Sequence, residues 1–219
     1  MGSGTGGASF AAAARRTIAL GLAALLAGTI STGCRTIHSA AREGDRASVA
    51  RMLKQGADPS KRSWRNSTPL HEAAAKGHLD VVKLLVEQGA DVNRQGDTYQ
   101  TPLHFAVQAE HPEIVSYLLA HGAEISKALH EAAFTGNVDI ARMLLEHEAN
   151  INEEGQDEVT PLERAVSYGH ADLVAFLLAH GADANHRGLY GRTPLRVAAQ
   201  RNDAAIQKLL LEYGADPKR

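Results

Sequence analysis

A single cysteine in 219 residues excludes an intrachain disulfide. Aromatic residues are scarce, 5% of the chain, which argues against one large globular core and suits many thin layers of Ala and Leu. Basic charge is not in excess either. The first 33 residues hold two arginines and no acid, so of 23 basic and 25 acidic residues 21 and 25 remain for the rest, a balance of −4. Nothing in that balance draws the chain to nucleic acid, and no nucleic-acid partner is expected. No apolar run reaches the roughly 20 residues of a membrane span. With 44% hydrophobic and 22% charged residues, the composition is that of a folded globular protein.

One shorter apolar run has a particular setting. Thr17 to Ile30 follow Arg15-Arg16 and precede Ser31-Thr32-Gly33. That is the order of a basic n-region, an apolar h-region and a small-residue cleavage site, so residues 1–33 read as an export signal peptide. Ser31-Thr32-Gly33-Cys34 resembles the lipobox of bacterial lipoproteins, with Ser31 where Leu is usual. The resemblance implies that Cys34 becomes the lipid-bearing first residue of a mature chain held on a membrane of the bacterial cell envelope, facing the periplasm. Ser31 and Gly33 also satisfy the small-x-small rule of the ordinary signal peptidase, which would give a soluble periplasmic or secreted protein.

Beyond residue 34 the dominant signal is internal repetition. Thr68-Pro69-Leu70-His71-Glu72-Ala73-Ala74 recurs as Thr101-Pro102-Leu103-His104-Phe105-Ala106-Val107. It recurs again as Thr160-Pro161-Leu162-Glu163-Arg164-Ala165-Val166 and as Thr193-Pro194-Leu195-Arg196-Val197-Ala198-Ala199. Weaker copies stand at Ile37-His38-Ser39-Ala40-Ala41 and Leu129-His130-Glu131-Ala132-Ala133, and the six copies are spaced by 33, 33, 26, 33 and 33 residues. A fixed period of this size means a solenoid.

Each unit has a physical logic. Thr68 offers an N-cap oxygen, and Pro69 sits at the first helical position, where its missing N–H costs nothing. Ala73-Ala74 let a neighbouring helix approach closely, and Gly77-His78 turn the chain. Leu79 to Gln88 predict a second helix, Gly89 its left-handed C-terminal residue, and Asp91 to Gln100 a polar hairpin. Two apolar columns repeat with the unit: Met52, Leu85, Leu118, Leu144, Leu177 and Leu210, and beside it Leu53, Val86, Leu119, Leu145, Leu178 and Leu211. No single unit buries these alone, so stability must come from stacking.

The pattern resembles the ankyrin repeat, with its Thr-Pro-Leu-His start and Gly-Ala-Asp-Val-Asn hairpin. The resemblance covers Arg35 to Arg219 and implies an all-α solenoid of stacked helix-turn-helix units with β-hairpin or loop fingers. Six repeats are expected, at about 35–67, 68–100, 101–126, 127–159, 160–192 and 193–219. The resemblance further implies binding of another protein through the fingers and the concave helix face. With the signal peptide, it points to an inhibitor, immunity factor or accessory protein, or alternatively to a secreted effector acting on a host protein. Glu148 stands where other units have Gly, so either it takes a left-handed backbone at a cost of about 1 kcal/mol or more, or the helix end is rearranged.

The residues of catalysis and metal binding are not arranged for either. Ten of the eleven histidines fall into three repeat columns, and only His186 stands apart. His38, His71, His104 and His130 share one column, which the resemblance implies ties turns together by hydrogen bonds. His121, His147 and His180 close second helices, where a donor suits the helix dipole. No His-Glu-x-x-His, Gly-x-Ser-x-Gly or Gly-rich phosphate loop occurs, and the run Glu153-Glu154, Asp157-Glu158 lacks the order of a calcium loop. No enzyme activity, metal, cofactor or small-molecule substrate is expected, and the acidic run reads as a solvated hairpin.

The residues that the repeat does not dictate are the candidates for partner binding. Trp64, with Arg65 beside it, Tyr99 and Tyr190, with Leu189 beside it, fall in fingers. Phe105, Gln108, Phe134 and Tyr168 fall at variable positions of first helices. Aromatics displayed on such faces are interface anchors by type. The 26-residue step adds a geometric expectation. Gly89 to Thr101 takes 12 positions, but Gly122 to Lys127 takes five. The missing seven are those of a finger, which predicts a mid-stack notch, Ser126 as substitute N-cap, and Phe105 and Phe134 exposed on either side.

Overall fold

The computed structural model describes residues 35–97 and 99–218; the predicted signal peptide and Cys34 lie outside these residues. From Ile37 onward the chain forms one compact unit, the repeat stack. It contains six helix pairs: α1 (Ile37–Arg42) and α2 (Arg46–Lys54), α3 (Pro69–Ala75) and α4 (Leu79–Glu87), α5 (Pro102–Gln108) and α6 (Pro112–Ala120). They continue as α7 (Ala128–Thr135) and α8 (Val138–Glu146), α9 (Pro161–Tyr168) and α10 (Ala171–Ala179), α11 (Pro194–Gln200) and α12 (Ala204–Glu212). Two short 3₁₀ turns, Gln156–Glu158 and Leu189–Gly191, lie in fingers. The fold is the expected all-α stack, with odd-numbered helices packed on one another in one layer and even-numbered helices in a second.

The sequence columns explain the packing. Alanines at the back of the first helices (Ala40, Ala73, Ala106, Ala132, Ala165, Ala198) are fully buried. With no side chain beyond Cβ, they let consecutive helices touch. Leu85, Leu118, Leu144, Leu177 and Leu210 are equally inaccessible. The neighbouring column is less uniform: Leu119 and Leu178 are buried, Leu145 is half-buried, and Leu211, in the sixth repeat, is exposed.

Turns repeat as strictly as helices. Gly136 has φ +82°, and a Cβ there would stand 2.5 Å from Nδ1 of His170, whose Nε2 reaches the Phe134 carbonyl at 2.9 Å. The glycine and the histidine one repeat later are thus parts of one joint. His121, His147 and His180 donate through Nδ1 to the carbonyls of Tyr117, Met143 and Phe176 at 2.7, 3.0 and 2.7 Å, the helix-end role expected of them. Glu148 does take the left-handed backbone, φ 68°.

The fingers take the loop form, the second of the two that the resemblance implied. Among the described residues there is no strand, only an isolated antiparallel bridge between Gly188 and Arg192. Each finger is closed across its tip by a backbone bond, Ser63 to Ser67, Gly96 to Gln100, Gly155 to Val159 and Gly188 to Arg192, at 2.8–3.0 Å, with a tighter turn bond inside it. With so few residues between the bases of a finger, a turn forms and a ladder does not. Asparagines bind successive fingers at the base. Asn93 accepts from the Glu124 N–H and donates to the Gly122 carbonyl, while Asn185 does the same with Asp216 and Gly214. Asn152 repeats the motif with Asp183 and Gly181.

Candidate protein-binding surface

The Thr-Pro-Leu-His start is a capping box with imidazole in the usual place of Glu. Nδ1 of His71 accepts from the Thr68 N–H at 3.1 Å, and that fixes the proton on Nε2, which donates to the Gln100 carbonyl at 3.1 Å. One ring therefore caps its own helix and holds the far end of its own finger. His104 accepts from Thr101 in the same way, and His38 and His130 reach the finger carbonyls of Lys61 and Glu153 at 2.8 Å. Burial holds His71, His104 and His130 below the usual imidazole range, as neutral donors to carbonyls should be.

Repeat five substitutes a carboxylate. Glu163 accepts from the Thr160 N–H at 3.1 Å, completing the box, but it has no proton for the finger. His186, the one histidine outside the columns, supplies it from the finger. Its Nδ1 lies 3.2 Å from Glu163 and its Nε2 3.1 Å from Glu154 of the preceding finger. Burial opposes charge on His186, but the two carboxylates outweigh it and raise its pKa, while burial raises Glu163. The acidic run is therefore not merely solvated: Glu154 holds His186, and Glu153 closes a turn described next.

The expected notch exists. The 124–126 connection leaves a recess of about 520 Å³ between the second finger (Gln95, Tyr99, Gln100) and the fourth (Gly155, Gln156). Two features expected of it are corrected. Lys127, not Ser126, is the N-cap of α7, with a left-handed φ of 61°. Glu153 stabilises that turn by accepting from the Lys127 N–H at 2.8 Å and the Ser126 hydroxyl at 2.9 Å, so a side chain from the next finger replaces the absent one. Second, the lining is polar. Phe105 is half-buried, edge-on to His71 at 5.3 Å, and Phe134 packs edge-on against Tyr168 at 4.7 Å, one helix further along. The first ring filled the space over a neighbouring imidazole; the second lies at the opposite end of its helix from the notch.

The candidate residues fall into two groups. On the fingers, Trp64, Tyr99 and Tyr190 are 86%, 79% and 93% exposed, Arg65 lies over the Trp64 ring at 4.5 Å, and Leu189 is exposed beside Tyr190. Tyr99 and Tyr190 have φ of 59° and 61°, a backbone unfavourable for residues with a large side chain. On the first-helix face, Phe134 and Tyr168 form one exposed aromatic pair. Gln108 is half-buried and donates to Glu131 at 2.9 Å, and Phe105 is withdrawn. Sequence reasoning missed the notch wall of Lys127, His130, Glu131 and Arg164. The signal was available in Lys127, which breaks the Thr-Pro pattern at the point where the finger is lost.

Among the described residues, no group of three or more His, Cys, Asp or Glu side chains is placed to hold a metal ion, and no helix is long and apolar enough to cross a membrane. Layers of helix pairs, with fingers whose tips are free of any duty in the core, define a repeat scaffold of the kind that binds other macromolecules. The chain belongs to the ankyrin-repeat family: the family profile for ankyrin repeats (3 copies) matches residues 37–128 and again 129–219. It is similar to the human ASB11 ankyrin repeat domain, at 33% identity and a TM-score of 0.78 over 84% of this chain and 86% of that one. It is also similar to an ankyrin repeat domain from Acinetobacter baumannii AYE, at 31% identity and a TM-score of 0.74 over 82% and 98%. Comparison with curated protein sequences gives no match. Ankyrin-repeat domains are generally non-catalytic modules, typically of protein–protein interaction.

Proposed function

We propose that this chain is an exported binding protein of the bacterial cell envelope, anchored through lipid on Cys34, that acts as an inhibitor, immunity factor or accessory subunit for one partner protein. The observation that carries the binding surface is the state of the fingertips. Tyr99 and Tyr190 combine near-complete exposure with a left-handed backbone, which costs about 1–2 kcal/mol for a residue with a Cβ. Asn66 and Glu158 share the left-handed backbone in the other fingers, so the finger turn sets it, and what fits a partner is the large exposed aromatic ring carried there. Export and anchoring rest on the order of Arg15-Arg16, the apolar run and Ser31-Thr32-Gly33-Cys34.

Crosslinking in intact cells, followed by affinity capture, tests the surface. The triple variant Trp64→Ser, Tyr99→Ser, Tyr190→Ser should lose the crosslinked partner while its thermal midpoint stays within about 6 °C, since exposed positions contribute within about 0.5 kcal/mol each. Retained capture would move the interface elsewhere. Cell fractionation tests the anchor: wild type belongs in the membrane fraction and Cys34→Ala outside it. Wild type found in the culture supernatant would favour the effector role instead.

A further inference from the structure

The notch departs from the repeat, and its wall holds polar groups without partners. Four charged side chains line it, Lys127, Arg164, Glu124 and Glu131. Glu131 is engaged by Gln108, and Glu124 stands exposed at the rim. The ammonium of Lys127 and the guanidinium of Arg164 have no acceptor among the described residues; what Glu153 engages is the Lys127 backbone N–H. Arg164 is half-buried, where an unanswered donor costs more than at an open surface.

Also lining the recess is His130, 3% exposed. Its Nε2 donates to the Glu153 carbonyl at 2.8 Å, and its Nδ1 is buried with no partner. In His71 and His104 the same nitrogen accepts from a Thr N–H. Lys127 occupies that place in repeat four and turns its N–H to Glu153 instead. Losing the finger thus left two cations and one imidazole nitrogen without partners around a single recess.

We propose that the notch receives a carboxylate side chain, Asp or Glu, projecting from the partner protein, with Arg164 and Lys127 as its cationic contacts and the His130 ring in the wall beside it. A carboxylate suits all three. Its oxygens accept charge-assisted hydrogen bonds from the guanidinium and the ammonium. The His130 ring, 3% exposed and with Nδ1 buried, senses that charge from the wall without bonding to it. Arg164 disfavours positive charge on that ring, while Glu153 and Glu131 favour it, and the arriving carboxylate adds to their side. A volume of about 520 Å³ admits a Glu side chain together with its flanking backbone. The proposal rests on the reading that the chain binds a protein.

The test uses the full chain with ¹⁵N-labelled histidine, titrated with acetyl-Gly-Glu-Gly-amide, its Gln and Lys counterparts, and acetate. The Glu peptide should move the His130 ring resonances saturably. Binding should weaken roughly fivefold, the effect of about 1 kcal/mol, for the Gln peptide, for acetate, and in the variants Arg164→Gln and Lys127→Gln. Both variants should keep the wild-type thermal midpoint, and Lys54→Gln, exposed on α2 away from the notch, should bind the peptide normally. Equal binding of the Gln peptide, preference for the Lys peptide, acetate binding as tight as the peptide's, or no shift at His130 would each overturn the proposal. In cells, both notch variants should weaken partner capture. Capture that survives them but is lost in the fingertip variant would sink the notch proposal and leave the binding role standing.

Discussion

Truncating Leu144 to Ala tests whether stacking is what holds this protein together. Leu144 is fully buried on α8, mid-stack, in the column shared with Leu118 and Leu177 on the helices before and after it. Removing three carbons forfeits about 2.4 kcal/mol at roughly 0.8 kcal/mol for each group. The cavity adds to this, because Ala141 and Ile140 beside it are themselves fully buried on a rigid helix and cannot move to fill it, which places the total at about 2–5 kcal/mol. For a chain of this length that lowers the thermal midpoint by roughly 5–20 °C. The matched control is Leu211→Ala, in the neighbouring column of the last repeat and 48% exposed, where loss should stay near or below about 1 kcal/mol. Urea unfolding followed by helical circular dichroism measures both. A Leu144→Ala cost no larger than that of Leu211→Ala would refute the argument that inter-repeat burial carries the fold.

Glu148→Gly should raise stability by about 1 kcal/mol, because it removes a Cβ from a backbone at φ 68°; a loss in urea midpoint would show that the Glu side chain matters there. Stability should peak near neutral pH. His71, His104 and His130 have folded pKa values lowered by burial, so the unfolded chain binds protons more readily and stability falls as pH drops below about 6.5. His186 runs the other way. Burial opposes its charge, but Glu154 and Glu163 raise its folded pKa, so its contribution is full below about 6.5 and is lost as pH rises through the folded value. Urea midpoints from pH 5 to 8.5 check both limbs, and His186→Gln should flatten only the alkaline one. A profile that rises steadily from pH 7 to 5 would contradict the column's neutral tautomer.

What the sequence determined by itself was everything that recurs. The spacing of Thr-Pro-Leu-His placed the first helices, the paired leucine columns placed the core, and the 26-residue step placed the gap, because a periodic fold obliges each position to meet the same neighbours as its equivalents. Its own breaks in period were legible as breaks, at Lys127, Glu148, Glu163 and His186, but not in their consequences. Only the tertiary structure decided those. Glu163 and His186 are 23 positions apart in the chain, and nothing local says that the carboxylate replacing one histidine is answered by another from the finger. Phe105 and Phe134 both looked like notch residues by position; rotation about the helix and the neighbour's size decided that one covers His71 and the other meets Tyr168. The notch itself is polar for the same reason. Removing a finger uncovers whatever lay beneath it, here the capping histidines His104 and His130 and the Lys127 turn.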